Sequence, residues 1–110
     1  MAIDDGLAER IREQLEPRHG ITEKRMFGGL AFLADGHMFI GLARDALMVR
    51  VGPDDYETAL ARPHVRLMDF TGKPMRGYVF VDQAGLEEDG ALNDWIQRSL
   101  AFVRSLPPKR

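Results

Sequence analysis

Apolar residues recur along this chain with two spacings, one typical of helices and one typical of strands. Helical spacing appears first near the amino terminus, where the apolar positions are Leu7, Ala8, Ile11 and Leu15. Asp4 or Asp5 precedes them as a candidate cap, and Pro17 and Gly20 predict where this helix ends. Helical spacing returns over residues 86 to 106, on a face that carries Leu92, Trp95, Ile96, Ser99, Phe102, Val103 and Leu106.

Short apolar runs between turn residues predict strands in the middle of the chain. Residues 21 to 27 lead into a sheet, and the first full strand is expected after Gly28-Gly29. Asp35-Gly36 separates two of the runs and is typical of a tight type I′ hairpin. The predicted strands are Leu30 to Ala34, His37 to Ala43 and Ala46 to Val51, which form an antiparallel meander.

A short helix and two further strands are expected after the meander. Gly52-Pro53 ends the third strand, and Asp54 and Glu57 have the spacing of a capping box. The last two strands form a second hairpin or extend the first sheet, and they are predicted at Val65 to Phe70 and Arg76 to Val81. The order helix, three strands, helix, two strands and long helix predicts an α+β fold in one domain, residues 1 to 110.

Composition excludes several classes of protein. With 45% hydrophobic and 29% charged residues, the chain is typical of a globular protein and not of a disordered one. Without cysteine it cannot form disulfides, thiolate metal sites or a cysteine nucleophile. A net charge of −2 argues against direct DNA binding. Neither a signal-peptide pattern nor a membrane-length apolar run occurs, so we expect a cytoplasmic protein without membrane segments.

No motif predicts catalysis, a cofactor or a metal. His19, His37 and His64 lie in or beside predicted turns and lack the spacing of metal ligands. Ser99 and Ser105 lie in the terminal helix without the elbow motif of serine hydrolases. We therefore predict a protein that is not an enzyme, with no catalytic residues, no metal and no cofactor.

Strand alternation predicts a second apolar sheet face edged with arginine. Side chains two residues apart point to the same face of a strand. Methionine, aromatic residues and arginine are typical of protein interfaces, so the candidate interaction face consists of Met48, Arg50, Arg66, Met68, Arg76, Tyr78 and Phe80. The simpler expectation is that a helix covers this face with the arginines at its rim, and the alternative is that the face binds a partner.

Basic residues near predicted strand ends suggest a different use. Lys24, Arg25 and Lys73 would contact an anion if these ends meet. The alternative function is therefore small-ligand or nucleic-acid binding by a local basic patch of Lys24, Arg25, Arg50, Lys73 and Arg76. In an RNA-binding sheet, Tyr78 and Phe80 would be the stacking side chains.

Four segments resemble the amino-terminal domain of the bacterial TfoX/Sxy competence regulators. They are Arg25-Met26-Phe27-Gly28-Gly29, Gly36 through Phe39, Leu47 through Gly52, and Phe70-Thr71-Gly72-Lys73-Pro74-Met75. The resemblance covers nearly the whole chain and implies an α+β domain with a YjbR-like fold relationship and no catalytic residue. The two-domain members regulate natural competence in concert with the cyclic-AMP receptor protein.

The length of the chain leaves no room for the second, carboxy-terminal domain of those regulators, so we expect a stand-alone TfoX N-terminal domain protein. The resemblance implies a non-enzymatic regulatory or protein-interaction module. Its expected partner is a protein of the transcription machinery, and a homodimer is a second expectation.

Overall fold

The chain folds as an antiparallel sheet with helices, and a computed structural model describes residues 5–16, 18, 20–26, 29–43, 46–69 and 74–107. The helices are α1 (Asp5–Leu15), α2 (Tyr56–Leu60) and α3 (Asp89–Arg104), and a short 3₁₀ turn at Gln83–Gly85 precedes α3. The strands are β1 (Ile21–Met26), β2 (Gly29–Ala34), β3 (His37–Ala43), β4 (Ala46–Arg50), β5 (Val65–Asp69) and β6 (Pro74–Asp82). The predicted α+β class is confirmed.

One six-stranded sheet contains all of these strands, in the order β1-β2-β3-β4-β6-β5. Every neighbouring pair is antiparallel. The sequence left open whether the last two strands form a hairpin or extend the meander. They do both, because β6 pairs with β5 on one side and with β4 on the other.

The expectation that the first full strand follows Gly28-Gly29 is wrong. Residues 21–26 form the complete strand β1, which pairs with β2 from Ile21 opposite Ala34 to Met26 opposite Gly29. Four of its residues, Thr22, Glu23, Lys24 and Arg25, are exposed. An edge strand needs little apolar alternation, and charges on it discourage pairing with other chains, so its sequence does not carry the usual strand signal.

The predicted Asp35-Gly36 hairpin is confirmed. Both residues have positive φ, 52° at Asp35 and 88° at Gly36, as a type I′ turn requires. A bulge follows, because Phe32 pairs with Ile40 while Leu33 pairs with Met38, which leaves Phe39 as an extra residue on β3. Phe39 and its neighbour Ile40 are consequently both buried in the core.

The two later helices differ from prediction in their details. α2 is capped by Asp55 and has no side-chain capping bond, so the predicted capping box of Asp54 and Glu57 is wrong. The Asp55 carboxylate instead accepts a hydrogen bond from Arg98 in α3 at 3.0 Å. α3 is shorter than the predicted 86–106, and its buried face includes Leu100, which the predicted stripe omitted. The predicted cap Asp4 and helix breaker Pro17 lie outside the described residues.

All three helices pack on the same face of the sheet. Their buried residues, such as Ile11, Ala59 and Ile96, belong to one core cluster. The sheet contributes alternate residues to that cluster: Leu30, Phe32, Ile40, Leu42, Leu47, Val49, Val79 and Val81. Each large apolar side chain buried here contributes about 1.5 to 3 kcal/mol to the free energy of unfolding, so this layer dominates the stability of the fold. The helix expected to cover the other face is not found in the described part of the chain.

An ion pair links α1 to the edge strand β1. Arg12 donates from Nε and Nη2 to the two carboxylate oxygens of Glu23, at 2.8 and 3.0 Å, and from Nη1 to Glu9 at 2.8 Å. These hydrogen bonds from Arg12 hold the pKa of the Glu23 carboxyl below its usual value. β1 is thereby connected to the helix layer although its central residues are exposed.

Replacement of Gly52 by alanine should destabilise the protein by at least about 2 kcal/mol, through left-handed backbone strain and steric overlap. Gly52 has φ +87°, and a Cβ there would lie 2.5 Å from Cδ1 of Phe102. The measurement is urea unfolding followed by the fluorescence of the single tryptophan, Trp95. Gly90→Ala is the matched control, because its Cβ would meet nothing within 4 Å and alanine favours the helix. An unchanged unfolding midpoint for Gly52→Ala would contradict this account.

Glu23→Gln should lower stability at neutral pH and have progressively less effect in acid. A carboxyl whose pKa is lowered by folding stabilises the native state above its unfolded value, 4.5, and this contribution disappears as pH falls through the folded value. Urea midpoints of wild type and variant, compared at pH 7 and pH 3, measure the effect. Glu13→Gln, on the exposed side of α1, controls for loss of a carboxylate. A difference in urea midpoint between wild type and Glu23→Gln that is larger at pH 3 than at pH 7 would contradict the prediction.

Candidate interaction surface

One row of paired residues crosses the sheet on the face opposite α1, α2 and α3. Strand register places side by side Lys24, Ala31, Gly41, Met48, Phe80 and Arg66. Directly opposed residues of antiparallel strands point to the same side, so these side chains share a face. Arg50 and Tyr78 pair with each other in the adjacent row of that face. We call the surface formed by this row together with Arg50 and Tyr78 the open face.

The centre of the open face is filled by Met48. The neighbouring residue across the strands is Gly41, and a Cβ at that position would lie 3.2 Å from the Met48 methyl carbon. Met48 is therefore buried, with 6% of its surface exposed, and Met68 is buried too, at 2%. Of the predicted interaction residues, the two methionines are thus inaccessible, whereas the aromatic and basic side chains retain exposed surface.

At one end of the row, Arg66 contacts both a ring and a carboxylate. Its guanidinium carbon lies 5.3 Å from the centre of the Phe80 ring. Its Nε donates to Oδ1 of Asp82 at 2.8 Å. Asp82 was not among the predicted site residues. It comes close to Arg66 only because β5 pairs with the end of β6, and that strand register cannot be read from the sequence. The charge of Arg66 is consequently balanced by its neighbour.

Arg50 lies where the open face meets the end of α3. Its guanidinium carbon is 5.6 Å from the centre of the Tyr78 ring and 5.4 Å from that of Phe102. Its Nη1 donates a long hydrogen bond, 3.5 Å, to the carbonyl oxygen of Met38. None of the carboxylates in the described ranges forms an ion pair with it. Phe102 was predicted only as a core residue, and its helical spacing carries no sign of this contact.

Arg76 lies apart from Tyr78 and Phe80, with which strand alternation groups it. Its guanidinium carbon is 5.5 Å from the centre of the Tyr56 ring in α2. The reason is an irregularity at Gly77, which has φ +94° and whose carbonyl accepts from both Val51 and Gly52. The two donors place a bulge on the neighbouring strand, and the left-handed backbone of Gly77 itself interrupts the alternation of side chains along β6.

Two of the basic residues proposed as anion contacts, Lys24 and Arg25, do not converge. Lys24 pairs with Ala31 on the open face, whereas Arg25 pairs with Leu30, whose side chain belongs to the helix-side core. Successive residues of a strand point to opposite faces, so Lys24 and Arg25 diverge. Lys73 lies outside the described residues.

The histidine and serine side chains considered for catalysis or metal binding contact backbone carbonyls or are exposed, where the structure describes them. The ring of His37 lies 2.6 Å, through Nε2, from the carbonyl oxygen of Pro107, and His64 is exposed. The Ser99 hydroxyl donates to backbone carbonyls of its own helix, 3.0 Å from that of Ile96. His19 lies outside the described residues. Within the described ranges, no three histidine or acidic residues are grouped as a metal site.

A depression of about 310 Å³ lies on another part of the surface, where α1 meets β1 and β2. Its polar lining contains two cations and two carboxylates, from Arg12, Arg18, Glu16 and Glu23. Nη1 of Arg18 is buried there without a hydrogen-bond partner. The balanced charge selects neither anions nor cations, and none of the predicted site residues lines this depression.

The helices of the described chain include none with the length and apolarity needed to cross a membrane.

Comparison with known proteins agrees with this architecture at the level of family. No match was found among curated proteins. The model of the TfoX N-terminal domain family matches residues 13–103, a stretch that begins in α1, contains the whole sheet and ends in the last turn of α3. Because the match covers most of the 110 residues, the chain belongs to the TfoX N-terminal domain family.

Proposed function

We propose that this domain is a non-enzymatic regulatory module that binds a protein partner through its open face. The observation that carries the proposal is the one-sided packing of the sheet, in which three helices cover one face. The other face presents Tyr78 and Phe80 with arginines stacked on their rings. Aromatic residues and arginine are enriched at protein interfaces and dominate their energetics.

Membership of the TfoX N-terminal domain family supports the regulatory part of the proposal. A partner in the transcription machinery and a cytoplasmic location are the corresponding expectations. A YjbR-like fold relationship also belongs to the proposal and concerns architecture, since folds host many unrelated functions.

Nucleic-acid or small-ligand binding is the second candidate, and the free charge of Arg50 favours it. The positions of the other arginines do not favour nucleic-acid or small-ligand binding. Arg25 is on the opposite face from Lys24, Arg66 is balanced by Asp82, and Arg76 stacks on α2. A backbone of phosphates is best neutralised by several cations in series. The protein-binding function is therefore the better supported of the two.

Affinity capture with crosslinking, from a lysate of the encoding organism, tests the proposed function. We expect wild type to retain specific proteins after nuclease treatment, and Tyr78→Ala to lose them because an interface ring is removed. Gln97→Ala, on the exposed side of α3, is the matched surface control. Mass spectrometry identifies the captured proteins, and urea unfolding verifies that both variants fold. Capture that disappears with nuclease in wild type would favour the nucleic-acid alternative instead.

A homodimer is the second partner we propose, formed through the outer strand β5. Leu67 in this strand is 50% exposed, and the edge of a sheet offers unpaired backbone groups to another strand. Light scattering during gel filtration should give wild type twice the 12.4 kDa chain mass, and Leu67→Lys the mass of one chain. Lys24→Glu, on the opposite edge, should leave the dimer intact. A wild-type mass of one chain at every concentration would rule the dimer out.

A further inference from the structure

We propose that Arg50 is the receptor for a carboxylate group, supplied by an acidic segment of the protein partner that docks on the open face. This inference rests on the proposed function and names the chemistry of the partner. It begins from a difference among the arginines. Five of those in the described chain have a carboxylate within ion-pair distance, namely Arg10, Arg12, Arg62, Arg66 and Arg98. Arg50 has none.

The guanidinium of Arg50 is held in place without being neutralised. Two rings, Tyr78 from β6 and Phe102 from α3, lie within 5.6 Å of its central carbon. A single long hydrogen bond to the Met38 carbonyl uses one of its five N–H donors. The residue as a whole is partly exposed. A fixed planar fork of donors matches a carboxylate, and little side-chain freedom is lost when the carboxylate binds.

Charge on the open face complements an acidic partner. Arg66 and Asp82 compensate each other, which leaves Lys24 and Arg50 as net positive charge on a chain whose total is −2. Between Lys24 and β4 the row contains only the small residues Ala31 and Gly41, and both are buried, as is Met48 of β4. Three strand spacings, about 14 Å, separate β1 from β4. Two cations separated in this way fit isolated acidic side chains better than a continuous row of phosphates.

The rings beside Arg50 provide the apolar part of the same contact. Tyr78 and Phe102 each retain partial exposure, and Phe80 continues this surface along β6. Hydrogen bonds between charged groups are strongest where neighbouring apolar surface excludes water. We therefore expect the docking segment to carry aspartate or glutamate next to aliphatic or aromatic residues.

Selection from a library of random peptides displayed on phage, with the whole protein as bait, tests the inference. Selected sequences are then synthesised, and their affinities are measured by fluorescence polarisation. We expect these peptides to contain an acidic residue flanked by apolar ones. Arg50→Met should weaken their binding about tenfold or more, the loss expected for a charge-assisted hydrogen bond. Arg76→Met, which removes another ring-stacked arginine, should leave binding unchanged.

A double-mutant cycle isolates the proposed contact. Replacing the acidic residue of a selected peptide by its amide should weaken binding to wild type as much as Arg50→Met does, with no further loss on the Arg50→Met protein. Arg50→Lys keeps the charge and the stem but loses the fork, so it should bind with intermediate affinity. It also serves as the second variant if Arg50→Met proves unstable in urea unfolding.

Other outcomes separate this inference from the proposed function. Selected peptides that bind Arg50→Met normally but lose affinity for Tyr78→Ala would overturn the carboxylate contact and leave the open face as a binding surface. Failure to select any peptide, or peptides insensitive to both variants, would overturn both. Oligothymidylate that binds wild type in an Arg50-dependent and salt-sensitive manner, in the absence of acidic peptides, would assign Arg50 to phosphate instead.

Discussion

Burial of one sheet face against three helices is the interaction on which the rest of this structure depends. α2 is too short to be stable alone, and its residues Tyr56 and Ala59 are ordered by the core they join. The same core determines strand register, because a shift by one residue would turn Phe32 and Val49 out of the apolar layer. Once register is determined, the composition of the opposite face follows, and residues distant in sequence come together there.

Much of the fold was predictable where local chemistry decides the outcome. The Asp35-Gly36 turn requires two positive φ values that few residue pairs tolerate, so its sequence identifies it. The terminal helices carry long apolar stripes. β1 was missed because an edge strand satisfies its backbone on one side and needs charge more than apolar alternation. The capping box was wrong because the cap is Asp55, one residue later, and its carboxylate pairs with Arg98 in place of the first turn of α2.

The candidate site was predictable only in part, since it depends on contacts between distant residues. Alternation correctly pairs Met48 with Arg50 along β4 and Tyr78 with Phe80 along β6. Alternation fails at Arg76, because the left-handed backbone of Gly77 comes between it and Tyr78. The burial of Met48 follows from a glycine on the neighbouring strand, and the ring of Phe102 reaches Arg50 from another layer. Neither contact leaves a signal in any short stretch of sequence.

Phe102 touches both layers of the molecule, and this has a mechanical consequence. Its ring lies against Gly52 at the end of β4, where no side chain would fit, and also beside the guanidinium of Arg50. The last turn of α3 and the edge of the open face therefore share one packing contact. A displacement of that helix end would therefore also displace a ring that lies beside Arg50. The two sides of the sheet, chemically so different, are thus in contact through one aromatic ring.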